Sequence, residues 1–131
     1  MISPSISWIT AEHVSFVLVR LQALYRSDPF VVMNQAPIEY VLNLAGVAPF
    51  YQDDVLFLAA VIIRTIICGH PLQDGNKRFG MLLGEHFLNL NSYELIDSNQ
   101  DYRDVALRVA RGQADLDDIY RWLLQNTRAA V

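Results

Sequence analysis

The sequence predicts an all-α fold, a compact bundle of about six helices in a single domain spanning residues 1–131. Three observations predict it. Apolar residues recur at helical spacing almost throughout the chain. Cap and stop residues such as Thr10, Asp54 and Asp115, or Gly46, Gly69 and Gly112, divide that pattern into helix-length pieces. No internal repeat, low-complexity tract or linker interrupts it, so one core suffices.

Each element follows from local signals. Thr10 reads as an N-cap, with Ile9 and Val14 placed as a hydrophobic staple, and a helix runs from Ala11 to Tyr25 before Ser27-Asp28-Pro29 stops it. Pro37 suits the first turn of a short second helix that Gly46 ends. Val47 to Asp53 is a loop carrying two aromatics, Phe50 and Tyr51. Asp53 or Asp54 caps a third helix that reaches Cys68 and ends at Gly69. That helix is apolar on nearly every face and belongs at the centre of the bundle. A fourth helix begins near Asn76 and ends at Asn91-Ser92. Asp101 or Ser98 opens a fifth that stops at Gly112, and Asp115 caps the last, which carries Trp122, Leu123 and Leu124. Tyr93 to Ile96 is the one candidate for a short extended piece.

Composition narrows the function. Of the 131 residues 53% are hydrophobic and 18% charged, which excludes disorder as the main state. The formal charge is −4, so direct nucleic-acid binding, which rests on a basic excess, is disfavoured. Mean hydropathy is +0.21, so the core is unusually apolar or apolar surface awaits a partner. The run from Val55 to Gly69 is too short for a membrane span and is broken by Arg64, which is expected to be buried, pairing with an acid or lining the site. The one cysteine, Cys68, is expected to be buried and inert, and this usage fits a reducing cytoplasm.

Chemistry concentrates in His70-Pro-Leu-Gln-Asp-Gly-Asn-Lys-Arg78, at the junction of two helices. The backbone N–H groups of Gly75, Asn76, Lys77 and Arg78 sit at a helix N-terminus, where unpaired donors and the dipole attract an anion. Gly75 permits close approach, and Asn76 caps the helix or offers its amide. Lys77 and Arg78 add charge, Arg in a fork that matches phosphate. Asp74 is a hard oxygen ligand for Mg²⁺, and the His70 imidazole can accept a proton from a hydroxyl. Ordinary turn chemistry also accounts for Asp-Gly-Asn, so spacing alone leaves both readings open. His13 reads as structural or surface, His86 as core or rim packing, and Tyr120 and Trp122 as anchors of the last helix.

The same stretch resembles the signature of the Fic/Doc family, His-Pro-Phe-x-x-Gly-Asn-x-Arg, and is most similar to the Doc (death-on-curing) toxins, where Lys stands between Asn and Arg. The resemblance is close from about Ala59 to Leu95 and looser over the rest. It implies a catalytic set of His70, Asp74, Lys77 and Arg78, with His70 as the base and Asp74 holding Mg²⁺. Gly75, Asn76, Lys77 and Arg78 bind the phosphates of ATP. It further implies transfer of the terminal phosphate to elongation factor Tu in the cytoplasm, with growth arrest, and a small Phd-like antitoxin whose helix fills an apolar groove. Transfer of a nucleotide monophosphate, as in Fic enzymes, and a non-catalytic binding or co-repressor role are the alternatives. Three residues depart from the pattern. Leu72 replaces Phe and is expected to pack the loop on the core. Phe79 is expected to alter the nucleotide pocket, and Gly80 to weaken its helix by about 1 kcal/mol relative to Ala. The loop from Val47 to Asp53 corresponds in position to the target-holding flap of Fic proteins.

Overall fold

The computed structural model describes residues 5–47, 54–96 and 99–130. Among them lie seven helices: α1 (Ala11–Leu24), α2 (Ala36–Leu42), α3 (Leu44–Val47), α4 (Val55–Gly69), α5 (Asn76–Leu90), α6 (Asn99–Ala110) and α7 (Leu116–Asn126). Two short strands, β1 (Tyr93–Leu95) and β2 (Thr127–Ala129), pair antiparallel. The architecture is the expected helical bundle.

α4 is the centre. Leu58 to Ile63, Ile66 and Ile67 are all buried, and α2, α5, α6 and α7 pack around it. Arg64 and Cys68 are the exposed residues of α4. Both were expected to be buried; they fall four residues apart, on one face of α4. α5 makes the closest partner of α4. Its Gly80 and Gly84 face Ile67 and Ile63, and a Cβ on either glycine would come within 2.6 Å and 2.5 Å of an isoleucine Cγ1. The glycines therefore let the two backbones approach. Gly80 is a packing feature of α5, which remains helical through it.

Caps set the helix starts. Thr10 accepts from the His13 amide while the His13 ring accepts from the Thr10 amide, a reciprocal capping box. Ile9 and Val14, the staple pair, are both buried. Asp54 caps α4 through the Phe57 amide, and its other carboxylate oxygen accepts the Tyr120 hydroxyl, which ties α7 to α4. Asp115 and Asp118 repeat the capping box on α7.

Two details differ from expectation. The second helix divides at Asn43, whose side chain returns to the Glu39 carbonyl, and Gly46 lies inside the extra turn instead of ending it. The expected extended piece after α5 is present, but it pairs with an unexpected strand, β2, which follows α7, with Glu94 opposite Arg128 at 2.6 Å. Phe50, Tyr51 and the rest of the aromatic loop at 48–53, and Ser98, lie outside the described residues.

Candidate active site

α4 ends on a residue with left-handed backbone. His70 is its C-cap, at φ 50° and ψ 57°, and donates its N–H to the Ile66 carbonyl. Gly69 is still helical, so the turn falls on the histidine itself. This conformation is uncommon for a residue with a side chain. The chain turns away from α4 and leaves the imidazole exposed at the junction.

The loop that follows is fastened from both sides. Asn76 makes a reciprocal pair with Leu72: its carboxamide oxygen accepts the Leu72 N–H at 2.8 Å and its nitrogen donates to the Leu72 carbonyl at 3.0 Å. Asn76 is thus the internal brace of the loop, with one N–H of its carboxamide committed to it. Leu72 is buried and performs the packing expected of the position. On the other side runs a strap at 30–34. The amides of Met33 and Asn34 donate to the Pro71 carbonyl, and the Gln73 amide donates to the Val31 carbonyl. Val32 and Leu72 face each other as an antiparallel bridge. The sequence reading placed a flap at Val47–Asp53, whose residues from 48 onward are outside the described ones; the segment that lies along the motif among the described residues is this strap. The β-branched pair Val31-Val32 after Pro29 is the sequence signal for it.

Gly75 begins α5. Its φ of 86° and the Phe30 ring packed where a Cβ would stand both require glycine. α5 has no side-chain cap, in contrast to α1, α4 and α7. The Gly75 N–H is taken by its neighbour, donating to Asp74 Oδ1 at 2.8 Å. The anion-attracting donors are therefore the amides of Asn76, Lys77 and Arg78, one fewer than the sequence suggested. Asp74 is exposed, anchored through one oxygen and open at the other.

Lys77 is exposed with no ion pair among the described residues, whereas Arg78 is partnered. Its Nη1 donates to Asp28 Oδ2 at 2.8 Å, and its guanidinium carbon lies 3.9 Å from the centre of the Tyr25 ring. Neither Asp28 nor Tyr25 stood out in the sequence.

These residues surround one open cavity of about 550 Å³, lined by His70, Gln73, Asp74, Gly75, Asn76, Lys77 and Arg78 from the motif and by Asp28, Ile67 and Ala110. Phe79 is absent from its lining. Its side chain is fully buried, on the same face of α5 as the buried Leu83 and Phe87. The i, i+4 stripe of these three apolar residues carries that information in the sequence.

The donor set fits a nucleotide with its magnesium. Among the described residues no three His, Cys, Asp or Glu side chains converge on one point. Asp74 offers a carboxylate oxygen beside the motif loop, and Mg²⁺ characteristically combines one or two carboxylates with substrate phosphates. Such a cavity presents a base, a hard oxygen ligand, three helix-end amides and two cations to one bound group.

His86, set aside as packing, sits at the α1–α5 seam with its ring 5.1 Å from that of His13. Its buried Nε2 has no hydrogen-bond partner. Burial, and then the nearby His13 and Arg20, hold its pKa below the usual histidine value. No helix among the described residues is long and apolar enough to cross a membrane.

A family model described as the Fic/DOC family matches residues 20–88, a little over half of the chain, and contains the strap, α4, the motif loop and most of α5. No curated protein matches the chain as a relative.

Proposed function

The chain belongs to the Fic/DOC family, and from that premise we propose that it is a Doc-type toxin that moves the terminal phosphate of ATP onto a hydroxyl of elongation factor Tu. The observation that carries the reading is the convergence of His70, Asp74, Lys77, Arg78 and the uncapped start of α5 on one cavity. His70 takes the proton of the incoming hydroxyl. The hydroxyl oxygen then forms a bond to the γ-phosphorus as the bond to the β,γ-bridging oxygen breaks, and ADP leaves with that electron pair. The amides of Asn76, Lys77 and Arg78 and the two cationic side chains stabilise phosphate charge as it shifts. Asp74 would hold the Mg²⁺, which screens the phosphates when bound.

Lys77 favours phosphate over nucleotide transfer. A long cation at the third residue after Asp74 occupies the space an α-phosphate would need and offers its charge to a terminal phosphate. The buried position of Phe79, outside the cavity lining, also supports ATP as substrate.

The test is incubation of the protein with elongation factor Tu and ATP labelled at either the α or the γ position, with the product weighed by mass spectrometry. Label from the γ position and a mass increase of one phosphate support the reading. Transfer of the α label, with addition of a nucleotide monophosphate, replaces it with Fic-type chemistry. Equal growth arrest by the wild type and by His70→Ala, or arrest by neither, replaces it with a binding role.

An antitoxin of the Phd kind is part of the proposal. Leu24 is exposed at the end of α1 and lines a cleft of about 320 Å³ with Leu21, Leu82, Leu95 and polar neighbours; Phe16 and Val19 are further exposed apolar residues of the same helix. An amphipathic helix matches such a surface. Co-purification with the product of an adjacent gene supports it, and loss of that association in Phe16→Glu/Val19→Glu locates the contact.

A further inference from the structure

Arg78 divides two cavities, the motif cavity and the cleft beside α1, and lines both. Its guanidinium is held there by residues from the end of α1, which brings together side chains fifty positions apart. Asp28 accepts one N–H, and the Tyr25 ring covers one face of the guanidinium plane.

The chain around these two partners is itself fixed. The Gln22 carboxamide nitrogen donates to the carbonyls of Tyr25, Arg26 and Asp28, at 3.3, 3.4 and 2.9 Å. The Asp28 amide donates to the Tyr25 carbonyl. One side chain thus gathers the carbonyls of the turn that follows α1. Two residues further on, Phe30 is buried, with its ring against Gly75 and 6.2 Å from that of Tyr25. The turn is therefore docked on the start of α5 at two points, by Phe30 on Gly75 and by Asp28 and Tyr25 on Arg78.

We infer that Asp28 and Tyr25 are positioning residues of the phosphate site, which hold the Arg78 guanidinium in one plane at the edge of the motif cavity so that its remaining N–H donors meet a nucleotide phosphate. The inference rests on the reading of the motif as a nucleotide site. Its basis is geometric. A guanidinium has five N–H donors in a rigid fork, and the single bond to Asp28 uses one of them. A carboxylate that closed the site would take the fork in bidentate fashion; this one leaves most of it available. Stacking on Tyr25 blocks rotation of the plane without consuming a donor. The side chains of Arg78 and Asp28 retain 48% and 37% exposure, so the guanidinium is oriented but still accessible from the cavity. Arginine is costly to immobilise because it has many rotatable bonds, and a prearranged fork removes that cost from the binding step.

The test is calorimetric titration of the full chain with ATP and Mg²⁺, alongside KM and kcat for phosphate transfer. Asp28→Asn keeps the shape and loses the charge. It is expected to weaken ATP binding about tenfold, equivalent to about 1.4 kcal/mol, and to raise KM more than it lowers kcat. Asp28→Glu restores part of the loss. Tyr25→Phe keeps the ring and binds as the wild type, whereas Tyr25→Ala weakens binding. In an Arg78→Ala background Asp28→Asn has no further effect, which a merely structural role would not produce. Tighter ATP binding by Asp28→Asn overturns the inference, because Asp28 then competes with phosphate for Arg78. Unchanged binding by Asp28→Asn, with loss in Arg78→Ala, also overturns it and leaves the phosphate site standing. Wild-type binding by Arg78→Ala overturns the phosphate role of Arg78 itself, and with it the inference.

Discussion

Replacing Gly80 by alanine separates what a helix prefers from what this helix packing permits. Intrinsic propensity alone says the change stabilises α5 by about 1 kcal/mol. The structure says otherwise. The new Cβ would lie 2.6 Å from Ile67 Cγ1, 3.4 Å from its Cδ1 and 3.2 Å from the Ile63 carbonyl oxygen. Ile67 is fully buried and β-branched, so its first torsion has little freedom to give way inside α4. Overpacking of this kind costs about 1–3 kcal/mol, and a contact with both a stiff side chain and a backbone oxygen belongs in the upper half of that range. After the propensity gain is subtracted, a net loss of about 1–2 kcal/mol remains. For a domain of this size that lowers Tm by roughly 3–8 °C. Gly46→Ala is the matched comparison: it also lies in a helix, but among the described residues no atom beyond its own helix comes within 4 Å of its added Cβ. It should leave Tm unchanged or raise it. Thermal unfolding followed by circular dichroism reads both variants. A rise in Tm for Gly80→Ala equal to that for Gly46→Ala would refute the close α4–α5 approach.

Three further outcomes follow from other contacts. Asn76→Ala removes both bonds to Leu72 and leaves its backbone polar groups unpaired, which should cost about 1–3 kcal/mol in denaturant unfolding and abolish activity as the loop loosens. The lowered pKa of His86 means that the unfolded chain takes up a proton more readily than the folded one. Its contribution to stability is therefore complete above about pH 6.5 and declines as pH falls through that value; unfolding measured from pH 7.5 to 5 should show the decline, and His86→Gln should reduce the slope. Tyr120 has the opposite sense. Its hydrogen bond to Asp54 holds its pKa above the usual phenol value, so that stability is complete below about pH 10 and is lost at higher pH. Tyr120→Phe should lose the hydrogen bond, worth about 1–2 kcal/mol, and the alkaline sensitivity with it.

The parts of the fold that were legible in the sequence are those decided locally. Thr10, Asp54 and Asp115 mark helix starts because a cap needs only its own next three residues. The central position of α4 follows from its uniformly apolar surface. The parts that were not legible depend on distant partners. The extended piece at Tyr93–Leu95 was legible, but its partner Thr127–Ala129, which returns from the end of the chain to pair with it, was not. The extra helical break rests on one asparagine side chain returning to its own backbone. At the site, the motif was visible as a string, whereas the allocation of its donors was not. Asn76 is committed to Leu72, the Gly75 amide to Asp74, and Arg78 to a turn fifty residues earlier. Arg64 and Cys68 show the converse: an apolar neighbourhood in sequence did not reveal which residues of α4 would stay exposed.

His70 stands where the backbone would sooner have glycine. Its left-handed conformation disfavours any residue with a Cβ by about 1 kcal/mol or more, and glycine alone escapes that penalty. His70→Gly should therefore yield a protein harder to unfold and unable to transfer phosphate. On the proposed reading, the requirements of folding and of chemistry at this position call for different amino acids, and the chain carries the one that chemistry would call for.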